Sequence, residues 1–359
     1  MTEKTWRLGT RLAPLTDEMA PRGPDWAQAS PARIRSALAY AQALPSGGWY
    51  AVDATRRIGQ GPMRYQIAGK HLVAFRDGSG VVMGFDECPH LGASLSEGRV
   101  CAGKVVCPWH GLALGRERHG AWHALPVFDD GVLTWVRLDV LLAGATARFD
   151  GLHAREALTE RPILAPRPAR YLEGTVRIEA RCEPSDVIAN RLDPWHGAHF
   201  HPKVFTNLRV TEATDAKLKL RVQYRVFGPV VVEVDATFHC PEPRTIVMTI
   251  VDGEGTGSVV ETHATPIAPG RTAVLETTLA TSERLGFRAL RGIGAVARPF
   301  VEHVARGLWR DDVAYAERTY ALRSGAVPTS LKLELPSDSV EAGGFAREQT
   351  LRGRAPSSR

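Results

Sequence analysis

The sequence predicts an α+β protein in two parts, an all-β domain followed by a larger antiparallel sheet that carries a long C-terminal helix. Three observations predict it. Short runs of alternating apolar and polar residues, broken by Gly or Asp, fill residues 48–138. Longer β-branched runs fill residues 173–280, and a helix-compatible stretch fills 282–325. A chain of 359 residues with 44% hydrophobic and 23% charged residues has ordinary globular composition and room for more than one core.

Residues 1–44 read as a Pro-interrupted extension ending in a helix, "SPARIRSALAYAQAL", where Ser30 caps and Pro31 takes the first helical position. The first domain is expected over 45–140, with strands in "GGWYAVDA", "MRYQIAGKHLVAFRDGSGVVMGFDE" and "GVLTWVRL". The second is expected over 141–330 and includes the Pro-rich connector "ERPILAPRPARY". Its strands are "EGTVRIEARC", "LKLRVQYRVF", "VVVEVDATFHC", "RTIVMTIVD", "SVVETHATPI" and "TAVLETTLA", which suit one antiparallel sheet. The helical stretch follows, and Pro299 is expected to break it in two. A curved sheet gripping a long helix encloses a deep apolar cavity suited to a small molecule. Residues 331–359 lack periodicity and are expected to be a disordered tail.

The first twenty residues hold no apolar run fit for a signal peptide, and no segment is apolar enough to span a bilayer, so a cytoplasmic protein is expected. The net charge is +6, but the basic residues are spread out and not interleaved with aromatics, which argues against nucleic acid as a partner. Such a surface suits an acidic electron carrier, or it is simply solvated. Five Cys are present, and Cys101, Cys182 and Cys240 are scattered and read as reduced packing residues.

The other two Cys belong to "CPHLGASLSEGRVCAGKVVCPWHG", residues 88–111. Cys88-x-His90 and Cys107-x-x-His110 form two tight pairs separated by sixteen residues. Four such donors suit a tetrahedral zinc, or an iron–sulfur cluster in which two thiolates hold one iron and two imidazoles the other. Pro89 and Pro108 fix φ where each loop bends, and Gly92 and Gly111 free the backbone beside the metal.

The stretch resembles the Rieske family, C-x-H-x16-C-x2-H, and "CPWHG" is close to that family's usual second loop. The resemblance implies that Cys88, His90, Cys107 and His110 bind a [2Fe–2S] cluster. Respiratory-chain members carry two further Cys and, after the second His, a Ser and a Tyr bonded to the cluster sulfurs. Ala93, Trp109, Leu112 and Leu114 stand at those places here. Fewer hydrogen bonds to sulfur imply a potential toward the low end of the range from about −150 to about +300 mV. That suits electron delivery to oxygen chemistry. Leu91 replaces the Arg that commonly follows the first ligand His.

A second motif lies in "NRLDPWHGAHFHP", residues 190–202, with His196, His199 and His201 inside six residues. On an unbroken helix His196 and His199 share a face, whereas His201 lies about 140° from His196. Gly197 and Pro202 allow the helix to end early and redirect His201. Rieske-type aromatic-ring and steroid oxygenases carry N-x2-D-x2-H-x4-H, which Asn190, Asp193, His196 and His201 match; the resemblance therefore selects His196 and His201. A facial triad needs one carboxylate more. In the family it comes from a C-terminal D-x4-E pattern, which assigns Asp312, with Glu317 five residues later and Asp311 as its neighbour.

Together the two motifs imply a Rieske [2Fe–2S] domain followed by a helix-grip, START-like catalytic domain. The resemblance further implies a terminal oxygenase with a mononuclear Fe(II), an electron supply from a ferredoxin or flavin reductase, and an aromatic, steroid- or terpenoid-like substrate oxidised with O2. Asn190 and Asp193 are then candidate catalytic residues. The family's head-to-tail trimer would place Asp193 between its own His196 and His110 of a neighbouring subunit. The rival expectation is a Rieske electron-transfer protein whose second domain binds a hydrophobic ligand without catalysis.

Overall fold

Period-two alternation with tight Gly turns builds three small sheets in the first half of the chain, and longer strands build one large sheet in the second. The structure is a computed structural model, which describes residues 12–14, 30–138, 158–201, 204–227, 230–284, 286–287, 292 and 294–326. The tail 331–359 lies outside the described residues.

The first half contains strands β2 (Trp49–Ala54), β3 (Met63–Ile67), β4 (Lys70–Arg76), β5 (Val81–Phe85), β6 (Arg99–Cys101), β7 (Lys104–Val106), β8 (Ala113–Leu114), β9 (Val127–Asp129) and β10 (Leu133–Arg137). They form sheets in the orders β2-β10-β9, β3-β4-β5 and β6-β7-β8. One Cys–His loop leaves β5 and the other joins β7 to β8. The short strands β6 to β9 escape sequence reading because two or three residues are too few to show a period.

The second half contains β11 (Leu172–Ala180), β12 (Phe205–Ala213), β13 (Leu218–Phe227), β14 (Val230–Glu242), β15 (Thr245–Gly253), β16 (Val259–Ala268) and β17 (Arg271–Ala280), all antiparallel in the order β11-β17-β16-β15-β14-β13-β12. The six expected strands are present. The seventh, β12, was not expected, because among its described side chains only Leu208 is fully buried and its polar residues mask the alternation. Strand β1 (Leu12–Pro14), in the N-terminal extension, pairs with the start of β14.

Helix α1 (Pro31–Gln42) forms as expected, with the Ser30 hydroxyl accepting from Arg33 N at 3.2 Å. Its Ala37 joins the core that holds Val187, Ile188 and Leu192 of helix α2 (Pro184–Leu192), and Arg33 donates to Leu192 O. Helix α3 (His196–Phe200) is a short turn, and α4 (Gly294–Arg323) is one continuous helix. Pro299 therefore does not break α4, contrary to expectation.

Helix α4 crosses one face of the large sheet at close range. A Cβ on Gly174 of β11 would lie 2.7 Å from Val301 Cγ1, so only Gly permits this approach. Glu302 accepts from Thr175 N and pairs with Arg56, and Glu317 accepts from Arg181 N at 2.7 Å. The other face of the sheet is covered by the first domain. Trp49, Leu133 and Trp135 share a core with Val247, Val259, Leu275 and Leu279. This explains why β16 and β17 are buried on both faces.

The connector residue Arg167 fastens the two halves. It donates twice to Glu261 on β16, at 2.6 Å each, and pairs with Asp130 at 3.0 Å. Asp130 accepts from Trp135 Nε1, and His263 contacts Glu261 and Thr245. Burial pushes the Glu261 carboxyl up, but His263 and Arg167 outweigh it and hold the group at about 2, below its ordinary 4.5. A group held below its unfolded value gives stability that is present above pH 4.5 and lost as pH falls toward 2. The shift corresponds to about 3 kcal/mol, in line with the roughly 3–5 kcal/mol expected when one partner of a buried pair is removed. Arg167→Leu should lower stability to urea by about this amount near neutral pH. It should also flatten the loss of stability between pH 4.5 and 2 in acid titrations followed by circular dichroism.

Candidate metal centres

The two Cys–His loops repeat one sequence, Cys-Pro-x-x-Gly, and one backbone design. Cys88 N donates to Ala93 O and Gly92 N to Cys88 O, both at 2.8 Å; Cys107 N donates to Leu112 O at 2.8 Å and Gly111 N to Cys107 O at 3.1 Å. The loops close only because Gly92 and Gly111 adopt φ of +78° and +76°. Each loop turns two backbone N–H groups onto its sulfur, from His90 and Leu91 in the first and from Trp109 and His110 in the second.

Both sulfurs are buried, and the two His are exposed with ring centroids 4.8 Å apart. Burial pushes both thiols up; the N–H groups and the Cys88 thiol bring Cys107 below its ordinary value, while Cys88 stays above it. Buried thiolates backed by N–H donors, facing two imidazoles at the surface, fit a [2Fe–2S] cluster with its histidine iron outward. Of the remaining Cys, Cys182 is buried and Cys240 partly so. Cys101 is exposed at the β6–β7 turn, so it is not the packing residue expected.

The second constellation is assembled by three breaks in the chain. Helix α2 starts with a capping box between Glu183 and Asp186 and with Pro184 at its first turn. It ends at Leu192 because Pro194 forces Asp193 into an extended conformation, φ −79° and ψ 110°. Helix α3 then presents His196 and ends before His201, which leaves the helix at φ −119° and ψ 51° ahead of Pro202. His196 and His201 therefore meet, ring centroids 6.1 Å apart, as the matched motif implied and an unbroken helix would not allow. The side chain of His199 lies outside the described residues.

Asp312 comes from α4 and is 2% exposed. One of its oxygens lies 3.0 Å from His201 Nε2 and 3.6 Å from His196 Nε2, and single donor atoms of the three residues all fall within 4.8 Å of one another. Asp311 is exposed, 3.6 Å from His201 Nδ1. Burial pushes the Asp312 carboxyl up, but the hydrogen bond from His201 and the neighbouring His196 and Arg191 hold it below its ordinary value. Burial holds His196 below its ordinary value, with Asp312 opposing. A neutral imidazole and an ionised carboxylate are the ligating forms. Two imidazoles and one carboxylate on one side of a cavity have the donor set of a facial triad, which fits iron.

The neighbours depart from expectation in one respect. His196 Nδ1 lies 2.7 Å from the backbone carbonyl of Asp193, which accepts from it, so the Asp193 carboxylate does not orient the ring. The extended conformation before Pro194 turns that carbonyl toward the ring. The carboxylate instead accepts from Trp195 N at 2.9 Å and faces the Tyr315 hydroxyl at 3.4 Å. Asn190 is wholly buried, and both of its side-chain polar atoms lack a partner among the described residues.

The triad opens onto a cavity of about 320 Å³ under α4. Its walls include Leu208, Leu220, Val222, Phe238 and Met248 from the sheet and Leu308 from the helix. Sequence reading foresaw the cavity but missed two polar residues in its wall, Arg191 and Glu276. Glu276 could have been flagged, since it interrupts the apolar alternation of "TAVLETTLA" at an inward position.

A Rieske [2Fe–2S] domain is matched over residues 48–134, and a domain of unknown function (DUF5914) over 153–327. The chloroacetanilide N-alkylformylase oxygenase component of Rhizorhabdus wittichii (strain DC-6 / KACC 16600) is 37% identical over 174 residues, 43% of this chain and 45% of that protein. The vanillate O-demethylase oxygenase subunit of Pseudomonas sp. (strain HR199 / DSM 7063) is 38% identical over 75 residues, 21% of each chain. The chain carries a Rieske [2Fe–2S] domain and is similar to the oxygenase components of Rieske-type enzymes. The matches span less than half the length of these curated relatives.

The Rieske oxygenase fold extends over most of the chain. Dicamba monooxygenase bound to dicamba superposes with a TM-score of 0.56 and 18% identity over 80% of this chain and 92% of that one. The terminal oxygenase of carbazole 1,9a-dioxygenase from Novosphingobium sp. KA1 gives 0.54 and 14% over 82% and 90%. Among the described residues no helix is long and apolar enough to cross a membrane.

The two centres are separable by mutation. Cys107→Ser or His110→Ala should abolish the Rieske visible absorption and the EPR signal of the reduced protein. His196→Ala, His201→Ala and Asp312→Ala should each lose one iron per chain and keep the cluster spectrum. His199→Ala and Asp311→Ala should retain all the iron, and an iron-free His199→Ala beside an iron-loaded His201→Ala would contradict the assignment.

Proposed function

We propose that this chain is a terminal oxygenase that hydroxylates an apolar, ring-containing substrate with O2, drawing electrons from a ferredoxin or flavin reductase. The observation that carries this reading is the convergence of His196, His201 and Asp312 at the wall of the apolar cavity. A protein that only relayed electrons and stored a hydrophobic ligand would have no use for a buried carboxylate between two imidazoles. Bound in the two sites, the cluster would supply one-electron transfer and the mononuclear iron O2 activation.

The chain's own residues prepare this chemistry. Cys88 and Cys107 bury the sulfur side of the cluster site, and His90 and His110 expose the other side to a partner. Asp193 O fixes the tautomer of His196 so that Nδ1 carries the proton and Nε2 faces Asp312. The cavity walls exclude water and hold the substrate beside the triad. An aromatic, steroid- or terpenoid-like skeleton suits these walls.

The proposal includes a head-to-tail trimer that brings His110 of one subunit to Asp193 of the next. Two exposed apolar side chains beside the cluster histidines support it: Leu91 is 63% and Trp109 58% exposed, which is costly for a surface left in water. With His196 Nδ1 already bonded to the Asp193 carbonyl, the Asp193 carboxylate is the group offered to the neighbour.

Metal analysis separates the oxygenase from the electron-transfer protein, because a cluster plus a mononuclear site needs one iron more per chain than a cluster alone. Reduced protein mixed with O2 and a panel of ring compounds should consume O2 and yield hydroxylated product. Asp193→Asn should keep every iron and the trimer yet slow reoxidation of the cluster about a hundredfold or more, as expected for lost positioning. Reoxidation at the wild-type rate, or an active wild-type monomer, would exclude the trimeric relay.

A further inference from the structure

The inward positions of β17 call for apolar residues. Val274 meets Val176, Ala264 and Trp309 in the core beneath α4, and the next inward residue is Glu276. A carboxyl group there loses its water and needs partners in return. Its Oε2 accepts a hydrogen bond from Trp309 Nε1 on α4, three residues before Asp312. Its Oε1 has no partner among the described residues, and the side chain lines the cavity.

Arg191, at the last turn of α2, lines the same cavity. Its guanidinium carbon lies 5.8 Å from the Phe238 ring centroid and 5.9 Å from that of Trp309. Its Nε is buried and lacks a hydrogen-bond partner, and no carboxylate among the described residues pairs with the group. Arg191 still acts on Glu276: burial pushes the Glu276 carboxyl up, and Arg191 and the Trp309 bond pull against it. The two groups therefore line one apolar cavity, close enough for Arg191 to act on Glu276 and without an ion pair among the described residues. Each keeps hydrogen-bonding capacity that nothing among the described residues uses.

We infer that Glu276 and Arg191 form a polar clamp that selects substrates carrying an alcohol hydroxyl on an apolar ring skeleton. This deepens the proposed oxygenase function and rests on it for the word substrate, though not for the binding itself. A hydroxyl donates to the free Glu276 oxygen and accepts from the guanidinium with the same atom, so it satisfies both groups. A ketone accepts from Arg191 and leaves Glu276 without a donor. A carboxylate meets Glu276 as a like charge, and an ammonium meets Arg191. A hydrocarbon leaves both groups desolvated and unused, which is the situation in which a polar site rejects a ligand most strongly. Because Trp309 joins Glu276 to the helix that carries Asp312, the clamp also fixes the ligand relative to the triad.

The test is equilibrium binding under nitrogen to the purified, metal-loaded protein, so that no turnover intervenes. The probes are tetralin, its alcohol tetralol, its ketone tetralone and tetralin carboxylate, followed by calorimetry. Wild type should bind tetralol about 10- to 100-fold more tightly than tetralin, the range for one hydrogen bond to a charged group. Arg191→Met and Glu276→Leu should each reduce tetralol to near the affinity of tetralin and leave tetralin itself little changed. Glu276→Leu leaves Trp309 Nε1 unpaired, so Glu276→Gln is the second variant. Its amide oxygen still accepts from Trp309, and its NH2 replaces an acceptor by a donor, so preference should shift from tetralol to tetralone. An unaltered cluster spectrum shows that each variant has folded.

Equal wild-type binding of tetralol and tetralin, binding of none of the four probes, or an unchanged preference in Glu276→Gln would overturn the clamp. So would strongest binding of the carboxylate, abolished by Arg191→Met alone, since that would make the site an anion receptor. A protein that prefers tetralol yet oxidises nothing keeps the clamp and loses the oxygenase. An active oxygenase indifferent to the alcohol does the reverse.

Discussion

One buried carboxylate sets the terms for the second domain. Asp312 is 2% exposed in the wall of an apolar cavity, with an oxygen 3.0 Å from His201 and 3.6 Å from His196. An isolated carboxylate there would be expensive, and contact with two imidazoles offsets only part of that. A divalent cation among the three removes the deficit, and the surrounding structure is arranged to hold them for it. Gly174 lets α4 lie close enough on the sheet, Glu302 and Glu317 anchor the helix at Thr175 and Arg181, and Trp309 ties its middle to Glu276. Helix α2 is in turn held by α1, whose Arg33 caps the carbonyl of Leu192 just before Asp193. The N-terminal segment thus contributes to the site without touching it.

The cluster loops solve a different problem by repetition. Two copies of Cys-Pro-x-x-Gly give two copies of one turn, with the sulfur inside and two N–H groups aimed at it. The copies differ in where the His falls, at the third position in one and the fourth in the other. That offset lets the rings approach edge to face, 4.8 Å apart at 72°, on the exposed side. A structural zinc would be served better by a closed site, whereas two outward imidazoles opposite two buried sulfurs suit a Rieske [2Fe–2S] cluster.

The sequence made plain what local rules control. The Cys–His loops depend on Pro and Gly at fixed offsets, and six strands of the large sheet show as β-branched runs between Pro, Gly or Asp, so both were legible. The pairing of His196 with His201 was legible only through the motif, because helix geometry favours His199 until Pro202 is allowed to end the helix. Other features depend on contacts distant in sequence and left no local trace. Nothing near Arg167 announces that it will close on Glu261, 94 residues away, and join the two halves. Pro299 looked like a breaker, yet α4 runs through it. Asp193 was expected to orient His196 through its carboxylate, whereas the proline after it turns its backbone carbonyl toward the ring and the carboxylate accepts from Trp195 N.

These features share one economy. Strands β16 and β17 are buried on both faces, with the cluster-bearing half on one side and α4 on the other. Their outward residues Glu261 and His263 hold the connector and the first domain, while the inward Glu276 meets Trp309. Adjacent strands in register place Glu276 opposite Thr262, one residue from both Glu261 and His263. The connector and the cavity are thus two faces of the same pair of strands, and the polar residues that interrupt their apolar pattern mark where each face is fastened.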